Sequence, residues 1–543
     1  MISSNDSYSE SDSDDSLLSS SSSSPDIDTD EEIDVTKWTT TPTVNRDPFV
    51  FVGNREIRVE DAQTRIEFWN YIFPTNLVQS IVYETNCYAE SICNNSNVRQ
   101  RFSRLNKWEP TNTEEFNVFI ALLILQGIIR KPELRMYFTT DELLATPIFS
   151  KIITADRFQI LLRMLHFEND QGPDNSLKKI WPVVEALRNS FKKLYRPGRF
   201  LNVDESLHLY KGRLSWKQYI PLKRARFGFK FFMLCDTNGY ILDFIIYTGR
   251  DTKYREKYND LPLSSRMVMT LVEDYLGLGH CIVMDNYYSS PQLFLELVKR
   301  KTDAVGTVRS NRKSLPLDFR NSKLKKNERI ARYYKKVMAL KWLDKKYVHI
   351  LSTYHENNTT IVLKRQTQVE KPICIHEYND TMGGVDMADQ LIAPYGIPRK
   401  RLKKYYKKIF MILLDLAILN SYHLYKIQTQ DTGNNVMTQL HFRIALVRSL
   451  LEHNLQNSFP EQLARRGRPS SELTPARLLS RHFPSLISPT ENKQHAARRC
   501  HVCSHTVNKN NRARHESRYE CTICNVTLCV DPCFRIYHTV LNF

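Results

Sequence analysis

The stretch RFLNVDESLHLY, residues 199–210, decides the fold because the periodicity of the chain changes there. Upstream, apolar side chains recur at helical spacing, as at Phe116, Ile120 and Leu123. From Phe200 onward, short segments rich in β-branched and aromatic residues alternate with turn signals, which is typical of strands. The sequence therefore predicts a helical region followed by a sheet.

The order of elements after this point indicates a mixed sheet. Strands are predicted at residues 200–210, 229–235 and 240–248, and the last two are joined by an Asn-Gly turn, a strong hairpin signal. Helix 266–276, strand 280–285, helix 291–301 and strand 304–309 follow. Three antiparallel strands and then alternating helix and strand resemble a ribonuclease-H-like sheet, so the predicted fold class is α/β. The basic, strand-like residues 311–372 are interpreted as an insertion, and a helical segment is predicted at about 383–428.

The distribution of charge predicts a polyanionic partner. The formal net charge is +18, although the first 34 residues contain eleven carboxylates and no lysine or arginine. The remainder is therefore strongly basic, and nucleic acid is the commonest partner of such a protein. The longest apolar run, residues 116–129, is interrupted by polar residues and is too short to cross a bilayer. We expect no membrane contact and a nuclear location.

Four aspartates form a candidate metal site. Asp204 lies in the first predicted strand, Asp285 ends the fourth, and Asp386 and Asp389 are three residues apart in GGVDMADQ. On a helix, that spacing places both carboxylates on one face. Phosphodiester cleavage employs hard divalent cations held by a few carboxylates, and two ions roughly 4 Å apart can bind the attacking and leaving oxygens. The pattern predicts a Mg²⁺ (or Mn²⁺) site; turn or helix-capping roles for single aspartates remain the alternative.

Two basic segments are candidate DNA contacts. Residues 399–408, RKRLKKYYKK, combine phosphate-neutralising cations with tyrosines that can stack on unpaired bases. Residues 465–469, RRGRP, are suited to a narrow minor groove. A nuclear-localisation signal is the alternative for the first segment, and an ordinary basic linker for the second. The candidate DNA-binding residues are Arg399, Lys400, Arg401, Lys403, Lys404, Tyr405, Arg466 and Arg468.

The cysteines near the end of the chain predict zinc. Six of the eleven cysteines fall within residues 500–533, in two Cys-x2-Cys knuckles followed by two single cysteines and a histidine. This spacing fits tetrahedral Zn²⁺ sites, and disulfides are not expected in a reducing compartment. Seven ligands are one short of two sites, so His501, His505 or His515 is a candidate for the eighth. The predicted ligands are Cys500, Cys503, Cys521, Cys524, Cys529, Cys533 and His538.

Several of these motifs together resemble the piggyBac-type transposase family over about residues 48–543. The matching stretches are NVDESLHLYKG (202–212), residues 219–230, VMDNYYSS (283–290), GTVRSN (306–311), YNDTMGGVDMADQ (378–390), NSY (420–422) and the cysteine-rich tail.

The resemblance places the catalytic aspartates of the family on Asp204, Asp285, Asp386 and Asp389. It implies cut-and-paste DNA transposition through hairpin intermediates with joining at TTAA targets. It also implies a homodimer on double-stranded DNA and a zinc cross-brace that recognises transposon ends. One departure is Tyr405, which aligns where family members often carry a tryptophan.

Together these features predict a DNA transposase, an enzyme that cleaves DNA and transfers the strands. The alternative is a domesticated, transposase-derived nuclear protein that binds DNA or chromatin without transposition. The predicted segments are a disordered acidic tail (1–46), a helical DNA-binding and dimerisation region in two parts (47–198 and 393–454), the ribonuclease-H-like catalytic domain (199–392), a basic linker (455–497) and a zinc-binding module (498–543).

Overall fold

The computed structural model of the chain describes two compact units, Met1–Pro460 and Glu461–Phe543. The residues it describes are 33–59, 62–94, 107–168, 176–221, 226–364, 367–397, 402, 404–458, 482–489, 493–505 and 514–540.

Helices form the first part of the first unit, as the periodicity predicts. Their bounds are α1 (Arg65–Ile72), α2 (Thr75–Asn94), α3 (Thr113–Ile128), α4 (Pro147–Ile152), α5 (Ala155–Met164) and α6 (Trp181–Leu194). Side-chain caps begin two of them: Asn112 accepts from the backbone N–H of Glu115, and Thr154 from that of Arg157. A short ladder of β1 (Glu56–Ile57) and β2 (Tyr195–Arg196) leads into the sheet.

A nine-stranded mixed sheet follows. Its strands are β3 (Phe200–Leu209), β4 (Gln218–Tyr219), β5 (Phe227–Asp236), β6 (Ile241–Ile246), β7 (Cys281–Met284), β8 (Asp303–Thr307), β9 (Arg329–Tyr334), β10 (Val337–Leu343) and β11 (Tyr347–Ser352). The order is β4-β5-β3-β7-β8-β11-β10-β9, with β6 paired to β5. Strand β5 is antiparallel to β3 and β6, whereas β3, β7 and β8 are parallel. The predicted α/β class is confirmed.

Helices join the parallel strands, because a parallel connection needs a crossover. Helix α7 (Leu263–Val272) precedes β7, and α8 (Pro291–Lys299) lies between β7 and β8. After β8 come the short α9 (Leu317–Asn321) and the strands of the predicted insertion. Strand β11 pairs antiparallel with β8, so β9, β10 and β11 extend the main sheet. Only β12 (Thr359–Lys364) and β13 (Thr367–Pro372) form a separate hairpin.

Four helices complete the first unit: α10 (Ile373–Thr381), α11 (Gly384–Ile392), α12 (Tyr405–Asp431) and α13 (Gln439–Ser458). Helix α12 is buried along nearly its whole length. A single hydrophobic cluster includes residues of α1, α3, α6, α12 and the sheet. The predicted helical region and the predicted catalytic domain therefore share one core, and α13 extends beyond the predicted boundary at residue 454.

The predicted boundary of the disordered tail lies too far along the chain. Residues 33–46 of the predicted 1–46 are described, and they pack on the sheet region. The Trp38 indole N–H donates to the backbone carbonyl of Ser314 at 3.1 Å. Arg46 is only 4% exposed because its guanidinium donates to backbone carbonyls at the sheet edge. A tail prediction based on polar composition misses anchors of this kind, since one arginine can satisfy several carbonyls of a distant strand.

A buried ion pair connects α12 to α13. Arg443 Nη1 lies 3.1 Å from Asp415 Oδ1, and both side chains are at most 1% exposed. The other Asp415 oxygen accepts from the backbone N–H of Ile397 at 2.8 Å. Burial raises the pKa of Asp415 to about 6, against the opposing effect of Arg443.

Replacing Asp415 by alanine is expected to destabilise the first unit by roughly 3–5 kcal/mol, because Arg443 would stay buried without its counter-charge. The matched control is the double variant Asp415→Leu/Arg443→Met, which leaves no buried charge and is expected to lose less. Chemical denaturation of the full chain, followed by tryptophan fluorescence, measures both. A double variant less stable than the single one would contradict this account.

The second unit consists of short elements. They are β14 (Ser485–Leu486), β15 (Arg498–Arg499), α14 (His501–His505), β16 (Glu516–Ser517), β17 (Tyr519–Cys521), β18 (Val526–Thr527) and α15 (Cys533–Thr539). Strand β17 pairs with both β14 and β18, and β15 pairs with β16. The module therefore includes residues from 482 onward, which the sequence assigned to a linker up to residue 497.

Candidate functional site

Two of the predicted catalytic aspartates lie at neighbouring parallel strands, Asp204 within β3 and Asp285 directly after the end of β7. Val203 of β3 is opposite Met284 of β7. Asp204 and Asp285 are the next residues along the two segments, so this register places them at neighbouring positions where β7 ends. On the other side of β7, Met284 is opposite Gly306 of β8. The next residue of β8, Thr307, therefore lies level with Asp204 and Asp285. In-register residues of parallel strands point to the same face. The sheet thus brings together two carboxylates that are far apart in the sequence.

Helix α11 carries the other two aspartates and is attached to β3. The Oδ1 atom of Asn202 accepts from the backbone N–H groups of Gly383 and Gly384, at 2.9 and 2.7 Å. A Cβ at Gly384 would lie 2.4 Å from the carbonyl oxygen of Asp236, so this close approach requires glycine. Farther along the helix, Asp389 Oδ1 accepts from Ser206 Oγ at 2.6 Å.

These contacts place α11 beside Asp204, because Asn202 and Ser206 flank that residue on β3. The predicted helix through Asp386 and Asp389 is confirmed. Asp386 is exposed, whereas Asp204, Asp285 and Asp389 are half-buried. All four predicted aspartates therefore belong to one end of the sheet.

The electrostatics of this region favour a cation. Burial raises the pKa of Asp285, and the backbone N–H of Tyr287, which donates to its Oδ1 at 2.9 Å, partly offsets the rise. Burial raises the pKa of the Tyr378 hydroxyl to about 12, and the charges of Asp285, Asp204 and Asp386 add to the increase. The charges of three of the four carboxylates thus act on the pKa of a single phenol. Concentrated negative charge of this kind is stabilised by a divalent ion.

The donor set fits Mg²⁺ or Mn²⁺, since both ions prefer carboxylate oxygens. Among the described residues, the only groups of three or more potential ligands with all ligand atoms within 4.8 Å of one another lie in the second unit. The aspartates are gathered at one edge but not closed into a coordination shell.

Sequence reasoning missed the residues that position this site. Asn202 and Ser206 hold α11, and Tyr378 of α10 contacts Thr307, with 3.5 Å between their hydroxyl oxygens. A signal for the first two was present: a polar residue stands at every second position of β3 from 202 to 208. Alternation on a strand places such residues on one face.

Most of the predicted DNA contacts lie outside the described residues, namely Arg399, Lys400, Arg401, Lys403, Arg466 and Arg468. Lys404 is exposed. The Tyr405 ring is half-buried, its hydroxyl donates to the carbonyl of Ser176 at 2.9 Å, and it meets Trp216 edge to face at 5.9 Å.

The last two lysines of the segment 399–408 are buried, so the candidate DNA contact does not extend to Lys407 and Lys408. Lys407 Nζ donates to the carbonyls of Leu162 at 3.0 Å and Arg163 at 2.5 Å, near the end of α5. Burial lowers the pKa of Lys407 to about 7 and that of Lys408 to about 8. Both lie in the first turn of α12, where helix packing turns them inward.

The second unit contains two complete sets of zinc ligands. One set is Cys500, Cys503, Cys529 and Cys533, and the other is His482, Cys521, Cys524 and His538. The two sets alternate along the chain, which is the cross-brace arrangement that the family resemblance implies. Neighbouring ligand atoms are 3.3–3.7 Å apart in the contacts His482 Nδ1–Cys521 Sγ, Cys503 Sγ–Cys533 Sγ and Cys524 Sγ–His538 Nε2. A tetrahedral site with Zn–S bonds of about 2.3 Å has edges of about 3.8 Å, so the geometry fits zinc.

The eighth ligand is His482, and the expectation of His501, His505 or His515 is wrong. Pairing of β14 with β17 brings His482 next to Cys521. The other ring nitrogen of His538 is held as it usually is in zinc-bound histidines, because Nδ1 lies 2.8 Å from the backbone carbonyl oxygen of Phe534.

Comparison with known proteins agrees with this architecture. A family model described as Transposase IS4 matches residues 64–422, and one described as a DDE_Tnp_1-like zinc finger matches residues 482–539. The chain belongs to the transposase IS4 family.

Its relatives within that family are of the piggyBac type, as the motifs predicted. The human PiggyBac transposable element-derived protein 3 is 28% identical over 443 residues, which cover 79% of this chain and 70% of that protein. The human PiggyBac transposable element-derived protein 2 is 26% identical over 434 residues, covering 75% and 69%.

The fold is that of a piggyBac transposase. A cryo-EM structure of the piggyBac transposase synaptic complex with hairpin DNA superimposes with a TM-score of 0.66, covering 88% of this chain and 99% of that chain at 20% identity. None of the described helices of the present chain is long and apolar enough to cross a membrane.

Proposed function

We propose that the protein is a DNA transposase of the piggyBac type, which cuts and joins strands with divalent metal ions held by Asp204, Asp285, Asp386 and Asp389. The observation that carries the proposal is the attachment of α11 to β3 on both sides of Asp204. The register between β3 and β7 places Asp285 at the position neighbouring Asp204. When bound, Mg²⁺ or Mn²⁺ supplies Lewis-acid stabilisation of the attacking and leaving oxygens of an in-line displacement.

The proposed metal ligands come from a rigid sheet and from a helix docked on it. Asp204 and Asp285 would hold the metal ions from the sheet, whose strands fix the spacing of these two residues. Asp386 and Asp389 would hold the metal ions from α11. The first displacement uses water to nick one strand, and the second uses the freed 3′-hydroxyl to attack the opposite strand. Hairpin intermediates, joining at TTAA targets, a homodimer and a nuclear location complete the proposal, on the strength of the family resemblance.

A cellular excision assay tests this function. A reporter interrupted by the element's own ends, each flanked by TTAA, is expected to recover its reading frame only when the protein is supplied. Sequencing of the repaired junctions is expected to show a single TTAA. Repair that leaves insertions or deletions at the junctions would contradict piggyBac-type excision.

The second candidate function is a domesticated DNA- or chromatin-binding protein. It is favoured by the human relatives, whose names describe proteins derived from transposable elements. This function needs the basic segments and the zinc module but no intact aspartate set. A protein that binds its cognate end and never cleaves it would establish this candidate.

DNA binding by the full chain is expected to weaken steeply with salt, because neutralised phosphates release counterions. We expect a smaller slope of log K against log salt concentration when five charges are neutralised together, namely Arg399, Lys400, Arg401, Lys403 and Lys404. The magnitude of the slope should fall by up to about 0.9 for each phosphate contact that is lost. Fluorescence anisotropy with a labelled duplex measures both slopes.

The control for this prediction removes the same charge elsewhere. Five exposed lysines on other elements serve this purpose: Lys151, Lys193, Lys299, Lys345 and Lys346. Their neutralisation is expected to change the slope less, which separates local contacts from net charge. A salt slope that stays at its wild-type value after the basic segment is neutralised would assign that segment to nuclear import alone.

A further inference from the structure

The face of β3 that carries Asp204 has a polar side chain at each alternate position: Asn202, Asp204, Ser206 and His208. Asn202 is 0% exposed and Ser206 is 1% exposed. Buried polar groups need hydrogen-bond partners, and the Oδ1 atom of Asn202 and the hydroxyl of Ser206 find theirs on α11. The strand therefore carries one predicted metal ligand together with two groups that hold the helix bearing the others.

The hydrogen bond between Ser206 and Asp389 has a defined direction. A carboxylate that ligates a metal only accepts, so the single hydroxyl proton of Ser206 is donated to Asp389 Oδ1, over 2.6 Å. His208 Nε2 lies 3.3 Å from the same hydroxyl oxygen. Because the serine proton is already used, His208 must be the donor in that contact. The result is a chain of donors running from His208 through Ser206 to Asp389.

We propose that Ser206 is a positioning residue of the metal site, which orients the Asp389 carboxylate for metal ligation, and that His208 fixes the direction of the Ser206 hydroxyl. The inference rests on the proposed function, since it requires Asp389 to be a ligand. A carboxylate turns readily about its terminal torsion, and a hydrogen bond to one oxygen selects the orientation of the other. Outer-shell partners of this kind typically change metal affinity or activity by about 10–100-fold when removed.

The test measures metal binding directly. Ser206→Ala in the full chain, bound to its DNA end, is expected to weaken Mn²⁺ binding by about 10–100-fold, as measured by electron paramagnetic resonance. The Mn²⁺ concentration for half-maximal cleavage should rise in parallel. Ser206→Thr keeps the hydroxyl and is expected to recover most of the affinity.

The matched control is Ser265→Ala. Ser265 is equally buried, on α7, and its hydroxyl has no hydrogen-bond partner among the residues that the structure describes. Its removal is expected to leave Mn²⁺ affinity and the thermal midpoint unchanged. A Ser206→Ala protein that binds Mn²⁺ as tightly as the wild type would overturn the inference.

A double-mutant cycle tests whether Ser206 acts through Asp389. If it does, adding Ser206→Ala to Asp389→Asn should cause no further loss of Mn²⁺ affinity, because the positioned group is already impaired. Losses that simply add would show that the two residues act independently and would overturn the positioning role.

Failure of this inference can be separated from failure of the proposed function. Asp204→Asn in the same assay is expected to lose Mn²⁺ binding. If it retains wild-type affinity, the proposed metal site itself is wrong. If Asp204→Asn loses binding and Ser206→Ala does not, only the positioning role falls.

Discussion

Asp204→Asn and Asp285→Asn proteins are expected to bind a transposon-end duplex with near wild-type affinity and to cleave it on the order of a thousandfold more slowly. Metal-ion stabilisation of the transition state is worth several kcal/mol, and each 1.4 kcal/mol or so is a factor of ten in rate. Asparagine keeps nearly the shape of aspartate but lacks the charge that holds Mg²⁺. Gel analysis of a labelled duplex under single-turnover conditions measures the rate.

The matched control for this loss is Asp260→Asn, an exposed aspartate outside the site. It is expected to cleave at the wild-type rate. Asp386→Asn should resemble the two sheet variants, and Asp389→Asn should also be severely impaired. Mn²⁺ should replace Mg²⁺, whereas Ca²⁺ should support binding with little cutting, since its coordination is looser.

Two outcomes would change the assignment. Cleavage at the wild-type rate by Asp204→Asn or Asp285→Asn would remove these residues from the catalytic site. A wild-type protein that fails to cut its own verified end would move the assignment to the domesticated DNA-binding protein.

Removal of zinc is expected to unfold the second unit and to leave the first unit folded. The buried cluster of this unit contains Cys500, Cys521 and Cys533, so half of its six buried members are candidate zinc ligands themselves. A core this small cannot stabilise the fold without metal. Structural zinc contributes about 10–16 kcal/mol in small zinc-binding peptides, and that energy is folding energy. Hydrogen exchange of the full chain, with and without a chelator, measures the effect.

Elemental analysis of zinc content tests whether the eighth ligand is His482 or one of the histidines expected from the sequence. The wild-type chain should contain two zinc ions. His482→Ala should lower the content toward one, because the second site would keep only three ligands. His501→Ala and His505→Ala should leave both ions in place.

The hydrogen-exchange measurement tests the role of zinc in folding. Unchanged hydrogen exchange of the second unit after complete zinc removal would contradict that role.

The sequence by itself determined the local features of this protein. Helical and strand periodicities depend on side chains a few residues apart, so the boundary near Arg199 and the helix through Asp386 and Asp389 were predictable. The knuckles Cys500-x2-Cys503 and Cys521-x2-Cys524 were predictable for the same reason. The four aspartates were found because strand ends and a helical pair form a recognisable pattern, and the family motifs reinforced it.

Only the tertiary structure decided which distant residues meet. Register between β3 and β7 places Asp204 beside Asp285, and pairing of β14 with β17 brings His482 to the second zinc site. Helix packing buries Lys407 and Lys408, although their charge predicts exposure. These outcomes depend on strand register and on the packing of whole faces, which couple residues far apart in the chain. No local periodicity encodes that coupling, because the free energy that selects it comes from the assembled core.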